Sequence, residues 1–230
     1  MAEVIIALDL PSGAEALRLL DRVPEARWVK VGSILMTREG PDLVRTLVRR
    51  GLRVFLDLKW HDIPHTVAEA VGAARELGVA LATVHTLGGV RMMETAVASA
   101  GPELKLVGVI VLTSHDAASY ASAVGRPEVD LVQEVERHSV EAVGAGLAGV
   151  VCSAREVAVV RRRLGPQPWI VVPGIRRGSD PEGDQIRVAT AAEAVTAGAT
   201  HLVVGRPVLQ AGDAGAAFRG FLEEAQCVGS

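Results

Sequence analysis

The chain is poor in lysine. Of its 24 basic residues only Lys30, Lys59 and Lys105 are lysine, and the rest are arginine. Aromatic residues make up 3% of the 230 positions, too few for the stacking platforms that hold single-stranded nucleic acid. The formal net charge is -3, with no basic block along the chain, which argues against a general nucleic-acid surface. Cysteine is limited to Cys152 and Cys227. Far apart and without partner spacing, they fit a reducing compartment and suggest neither a disulfide framework nor a zinc site. No apolar run approaches the ~18 residues needed to cross a bilayer. No basic segment leads into an apolar one at the N-terminus, so no signal peptide is expected. These absences point to a cytoplasmic protein with neither membrane nor nucleic acid as a partner.

What the chain does have is apolar sequence, 49% of it, enough to bury a full core. Short V/I/L-rich runs alternate with longer amphipathic ones. The runs at 4–10, 28–32, 53–60, 81–86, 106–113, 149–153, 169–175 and 201–206 read as strands buried on both faces, as in parallel sheets. Between them, 14–22, 41–50, 65–77, 90–99, 128–145, 154–164, 191–197 and 212–225 read as helices. Ser12-x-x-Glu15, Ser153-x-x-Glu156 and Thr190-x-x-Glu193 are capping-box patterns, and Pro41 and Pro64 suit first helical turns. Gly51, Gly78, Gly146 and Gly198 stand where helices should stop. Eight β-then-α units predict an α/β protein, a single (β/α)8 TIM barrel over 1–230. A doubly wound open sheet is the alternative. However, the first run ends in Asp9-Leu10-Pro11-Ser12-Gly13, with no G-x-G-x-x-G. The stretches 114–127 and 176–189 read as long loops after strand C-termini, the catalytic face of such barrels.

The densest chemistry lies in Asp57-Leu58-Lys59-Trp60-His61-Asp62-Ile63-Pro64-His65-Thr66. Asp57 and Lys59 are two apart, so on a regular strand they share a face. Two carboxylates and an ammonium at the end of a buried strand are costly to desolvate. A structural ion-pair cluster is one reading of them. A positioned proton donor is the other, and lysine delivers protons near neutral pH where arginine does not. The remaining strand ends bring Asp9, Lys30, His85, Thr113, Ser153, Pro173-Gly174-Ile175-Arg176 and Gly205-Arg206 to the same face. Gly205-Arg206, with Arg176 and Gln185, reads as an anion clamp in the region where these barrels bind phosphate. His61, His65, His85 and His115, with Asp57 and Asp62, leave a metal-hydrolase alternative open. For His85 a satisfied core role is favoured over ligation.

Taken together, Ala7-Leu8-Asp9, Val29-Lys30-Val31-Gly32, the D-x-K-x-x-D-I-P element, Val111-Leu112-Thr113-Ser114, Val172-Pro173-Gly174-Ile175-Arg176, Gly183-Asp184-Gln185 and Val204-Gly205-Arg206-Pro207 resemble the orotidine 5′-phosphate decarboxylase family in its bacterial form, over almost the whole chain. His65 departs from the Asn often found there. The resemblance implies decarboxylation of orotidine 5′-phosphate to UMP with no metal or organic cofactor, by a homodimer with shared active sites. It implies a catalytic set of Lys59, Asp57, Lys30 and the Asp62 of a second copy. Asp9, Lys30 and the second copy's Thr66 would hold ribose hydroxyls, and Thr113 would lie by the pyrimidine. Arg176, Gln185, Gly205 and Arg206 would hold the phosphate, and Ile63 and Pro173 complete the substrate-binding set. For Thr66 a capping role through Thr66-x-x-Glu69 is the alternative. Two other functions stay open. One is a Mg²⁺-dependent sugar-phosphate decarboxylase or aldolase on the same barrel, which Lys30 argues against because a dication needs oxygen ligands. The other is a non-catalytic nucleotide-binding barrel.

Overall fold

A computed structural model describes residues 2–177 and 189–226. Eight parallel strands among these residues close into a barrel in chain order: β1 (Glu3–Ala7), β2 (Trp28–Gly32), β3 (Arg53–Trp60), β4 (Leu81–His85), β5 (Lys105–Val109), β6 (Gly149–Val151), β7 (Trp169–Val172) and β8 (His201–Val204). β8 closes on β1 through Glu3↔His201 to Ile6↔Val204. The helices are α1 (Gly13–Asp21), α2 (Ser33–Glu39), α3 (Pro41–Arg49), α4 (Pro64–Glu76), α5 (Val90–Ala100), α6 (Ala117–Ala123), α7 (Leu131–Gly144), α8 (Val157–Leu164), α9 (Ala191–Thr196), α10 (Arg206–Leu209) and α11 (Ala214–Gln226). The (β/α)8 expectation holds, and the doubly wound alternative falls with the closure.

Strand alternation sorts the apolar side chains into two sets. Val29, Val31, Val54 and Leu56 point outward into the layer shared with the helices. Ile5, Trp28, Phe55, Leu81, Val107, Val171 and Val203 point inward and pack against one another. Burying each such large side chain contributes about 1.5–3 kcal/mol. At the N-terminal end the His201 ring meets Trp28 edge-on at 5.5 Å and lies tilted on Trp169 at 4.5 Å, while the Arg53 guanidinium sits 4.1 Å over Trp28. Gly149 is required where it stands, because a Cβ there would run into the Trp169 backbone.

Several strands end earlier than the apolar runs suggest. β5 stops at Val109 rather than 113, β7 at Val172 and β8 at Val204. Pro173 and Gly174, the latter at φ 76°, turn the chain out of β7, and Gly205 starts α10. The stretch 114–127 is not structureless. It contains α6, opened by a capping box between Asp116 and Ser119. Among the expected boxes Thr190–Glu193 is reciprocal. Ser12 accepts from the Glu15 amide, whereas at Ser153 the Glu156 carboxylate accepts the backbone N–H and α8 begins only after Glu156. Thr66 does not cap: α4 begins at Pro64 and places Thr66 inside its first turn. Cys152 is buried, while Cys227 and the Gly183-Asp184-Gln185 element lie outside the described residues. Among the described residues no helix is long and apolar enough to cross a membrane.

Candidate active site

The C-terminal strand ends surround a cavity of about 630 Å³. Its base is apolar, with Phe55, Val109, Val171 and Val203 among the lining residues. Its walls carry Asp9 after β1, Lys30 from β2, Asp57 and Lys59 from β3, Thr113 after β5, Pro173 and Arg176 after β7, and Gly205 and Arg206 after β8. The charged strand ends expected from sequence are therefore brought together. Asp62, Ile63 and Thr66 are not among the lining residues. They are exposed at the start of α4, and Asp62 accepts a hydrogen bond from the Ile63 amide at 2.6 Å.

Asp57 is the hub. Its Oδ1 accepts from the Lys59 ammonium at 2.9 Å and from the Thr83 hydroxyl at 3.1 Å, while Oδ2 faces the Lys30 ammonium at 3.6 Å. Lys30 also donates to Asp9 at 3.1 Å. Burial opposes ionisation of Asp57. The Lys30 and Lys59 ammonium groups, with hydrogen bonds from Lys59 and Thr83, outweigh it and hold the carboxyl below the usual range. Gly32 leaves the space: a Cβ there would lie 3.2 Å from Lys30 Nζ and 3.4 Å from Asp9 Oδ1.

Alternation alone does not aim Lys59. Between Leu56 and Trp60, β3 covers four steps while β4 covers two, from Ala82 to Val84. At this bulge Lys59 takes φ 51°, the one positive φ outside glycine among the described residues. Such a conformation costs a non-glycine residue about 1–2 kcal/mol, and strain of this kind gathers at functional sites. The Lys59 amide donates to the Thr83 hydroxyl at 2.8 Å. Thr83 was not legible as a site residue, since threonine in an apolar strand reads as an ordinary β-former. Its inward register beside Leu81 is the signal that was available.

The histidines do not gather. The rings of His61 and His85 stack at 5.5 Å, and among the described residues no group of three or more His, Cys, Asp or Glu could hold a metal ion. His85 Nδ1 accepts the Leu87 amide at 3.3 Å and so caps the turn after β4. Burial, helped by the charges of His61, His138 and Lys59, pushes its pKa down to about 4. At the opposite wall Arg176 is buried, and its amide donates to the Ala189 carbonyl at 3.0 Å. Its neighbour Arg177 turns the other way, donating to Glu224 at 3.2 Å and to the Ala217 carbonyl at 2.9 Å. Gln185, expected beside Arg176, lies outside the described residues.

Residues 2–221 match the family described as orotidine 5′-phosphate decarboxylase / HUMPS. The chain belongs to that family. Orotidine 5′-phosphate decarboxylase of Anaeromyxobacter sp. (strain K) is 49% identical over 219 residues, covering 94% of this chain and 95% of that protein. The enzyme of the same name from Alkalilimnicola ehrlichii is 50% identical over 214 residues, 91% of this chain and 90% of that one. Among solved structures, orotidine 5′-phosphate decarboxylase from Lactobacillus acidophilus superposes with a TM-score of 0.88 at 31% identity, over 99% of this chain and 100% of that one. Family membership agrees with the resemblance drawn from the D-x-K-x-x-D-I-P, P-G-I-R and V-G-R-P elements, and it makes the chain a member of a carboxy-lyase family.

Proposed function

We propose that this chain converts orotidine 5′-phosphate to UMP and CO₂ without a metal ion, with Lys59 as the proton donor. One observation carries the reading: in the cavity, Asp57 is held between two ammonium groups, Lys59 at 2.9 Å and Lys30 at 3.6 Å. A divalent ion beside Asp57 would meet both positive charges, which favours this reading over the Mg²⁺-dependent one. In the reaction the bond from C6 to the carboxyl carbon breaks, the electron pair stays on C6, and CO₂ leaves. The fixed Lys59 ammonium stabilises the developing charge and gives a proton to C6. The neutral amine then regains a proton from solvent. Asp57 orients the ammonium throughout.

The opposite wall supplies the grip. Arg176 and Arg206, with Gly205 between strand and helix, take the 5′-phosphate, and Gln185 joins them. Asp9 and Lys30 take ribose hydroxyls, Thr113 lies by the pyrimidine, and Pro173 packs on the substrate. Phosphate binding is remote binding energy available for placing the pyrimidine over Lys59. Asp62, Ile63 and Thr66 act in the cavity of a second copy in a homodimer. Support for this comes from their exposure, their absence from the lining of their own cavity, and the 65% exposure of the apolar Ile63. The test is the loss of orotidine 5′-phosphate absorbance with and without EDTA. Unchanged turnover under chelation is expected, and turnover lost to EDTA and restored by Mg²⁺ would reject metal independence.

A further inference from the structure

The Thr83 hydroxyl has two partners, both on the bulged segment of β3. Thr83 is fully buried. It accepts the Lys59 amide at 2.8 Å and donates its one proton to Asp57 Oδ1 at 3.1 Å. The same Asp57 oxygen receives the Lys59 ammonium at 2.9 Å. Backbone and side chain of Lys59 are thus tied to one small ring of groups, and Thr83 is its only member from the neighbouring strand. Lys59 also holds the disfavoured φ of 51°. A strained backbone persists only where the surroundings over-determine it. Here the register shift creates the bulge, and the hydroxyl takes up its amide.

We propose that Thr83 is a positioning residue for the reaction: its hydroxyl fixes the Lys59 backbone and the Asp57 carboxylate together, so that the ammonium is aimed before substrate arrives. This rests on the reading of Lys59 and Asp57 as the reacting pair. Thr83 is not among the residues that line the cavity, so it acts through Lys59 and Asp57. Its effect falls on the chemical step, because misaiming a donor by a fraction of an ångström leaves the ribose and phosphate grip intact.

The test uses the full chain and Thr83→Val, which removes the hydroxyl with little change of volume, beside Thr83→Ser, which keeps it. For Thr83→Val the expected result is a kcat lower by roughly 10- to 100-fold, with KM and UMP affinity within about threefold of the parent. The acid limb of its kcat profile should move to higher pH, because Asp57 loses a donor to its charged form. Thr83→Ser should recover kcat to within about threefold. A Thr83→Val enzyme with parental kcat overturns the proposal. So does a Thr83→Ser enzyme as impaired as the valine variant, which would make the methyl the important group. Should Thr83→Val not fold, Thr83→Cys, a weaker hydrogen-bonding group of similar size, decides: kcat between serine and none supports the proposal, and parental kcat overturns it. Lys59→Ala is assayed in parallel. Normal turnover there overturns the reacting-pair reading and this proposal with it, whereas a dead Lys59→Ala beside a normal Thr83→Val overturns this proposal alone.

Discussion

The Arg177 guanidinium lies 4.6 Å over the ring of Phe221 on α11, while Arg176 beside it in sequence turns into the cavity. Consecutive arginines leaving β7 thus go to opposite sides of the wall, one to the helix layer and one to the site. Gly220 makes room for Arg177, since a Cβ at 220 would collide with the guanidinium. Gly220→Ala should therefore push the guanidinium off its bonds to Glu224 and Ala217 and off the Phe221 ring, a loss to the fold of about 1–3 kcal/mol that exceeds the roughly 0.5–1 kcal/mol alanine gains over glycine in a helix. Gly144→Ala, a helical glycine on α7 with nothing within 4 Å of its Cβ position, should instead stabilise it by about 0.4–1 kcal/mol. Thermal unfolding of the two variants reads the difference in sign.

Lys59→Arg tests proton transfer apart from charge. Guanidinium keeps the positive charge but holds its protons too tightly to give one up near neutral pH. Turnover of orotidine 5′-phosphate should fall nearly as far as in Lys59→Ala, while UMP binding survives in both. Near-normal turnover in Lys59→Arg would remove Lys59 as the donor.

Arg206→Ala should weaken UMP far more than uridine, because the nucleoside lacks the group that the guanidinium grips. Losing a charge-assisted contact costs about 1.5–3 kcal/mol. Isothermal titration of both ligands measures the ratio, and equal weakening would assign Arg206 a structural role.

If Asp62 and Thr66 complete the site of a second copy, inactive chains should complement. Mixing Lys59→Ala with Asp62→Ala chains would place an intact Lys59 and an intact Asp62 in one site of each heterodimer. Partial recovery of turnover is expected on subunit exchange. Exchange demonstrated without recovery rejects the shared site.

Stability should fall on mild acidification. Burial, with the Arg53 charge beside it, pushes His201 down to about 4, below the usual unfolded value near 6.5. The folded state therefore favours the neutral ring. His201's contribution is complete above about pH 6.5 and is lost as pH falls from there toward 4, by up to about 3 kcal/mol. Urea unfolding between pH 7 and 4.5 should show the loss, and His201→Phe should flatten it. An unchanged slope in that variant would place the acid sensitivity elsewhere, with His85, also near 4, as the next group.

The eight strands were legible because each carries a V/I/L run, four of them preceded by the glycine stops Gly51, Gly78, Gly146 and Gly198, and β2 and β3 match to the residue. The charged strand ends were legible because two carboxylates and an ammonium after Val54-Phe55-Leu56 are costly to bury, which marks a site more often than a structural ion pair. The short helices were not. α2 starts after Gly32 without a side-chain cap, and α6 is seven residues long, with six alanines and serines around a buried Tyr120. Both are held by what surrounds them more than by a periodic pattern of their own. The bulge at Lys59 leaves no trace in residue types, since no glycine marks its positive φ. Thr83 is hidden for the related reason that its hydroxyl acts across two strands, a relation that only the register between β3 and β4 reveals.

The Trp28, Trp169 and His201 rings packed at the start of the strands make the barrel a cup, not a tube. Among the described residues, Asp9, Lys30 and Arg206 line the same cavity as Phe55 at its base. The proposed reaction, which takes in one molecule and releases two, would send the gas and the nucleotide out past these residues. Both exits, and any inhibitor that blocks them, are then governed by the handful of residues at that lip.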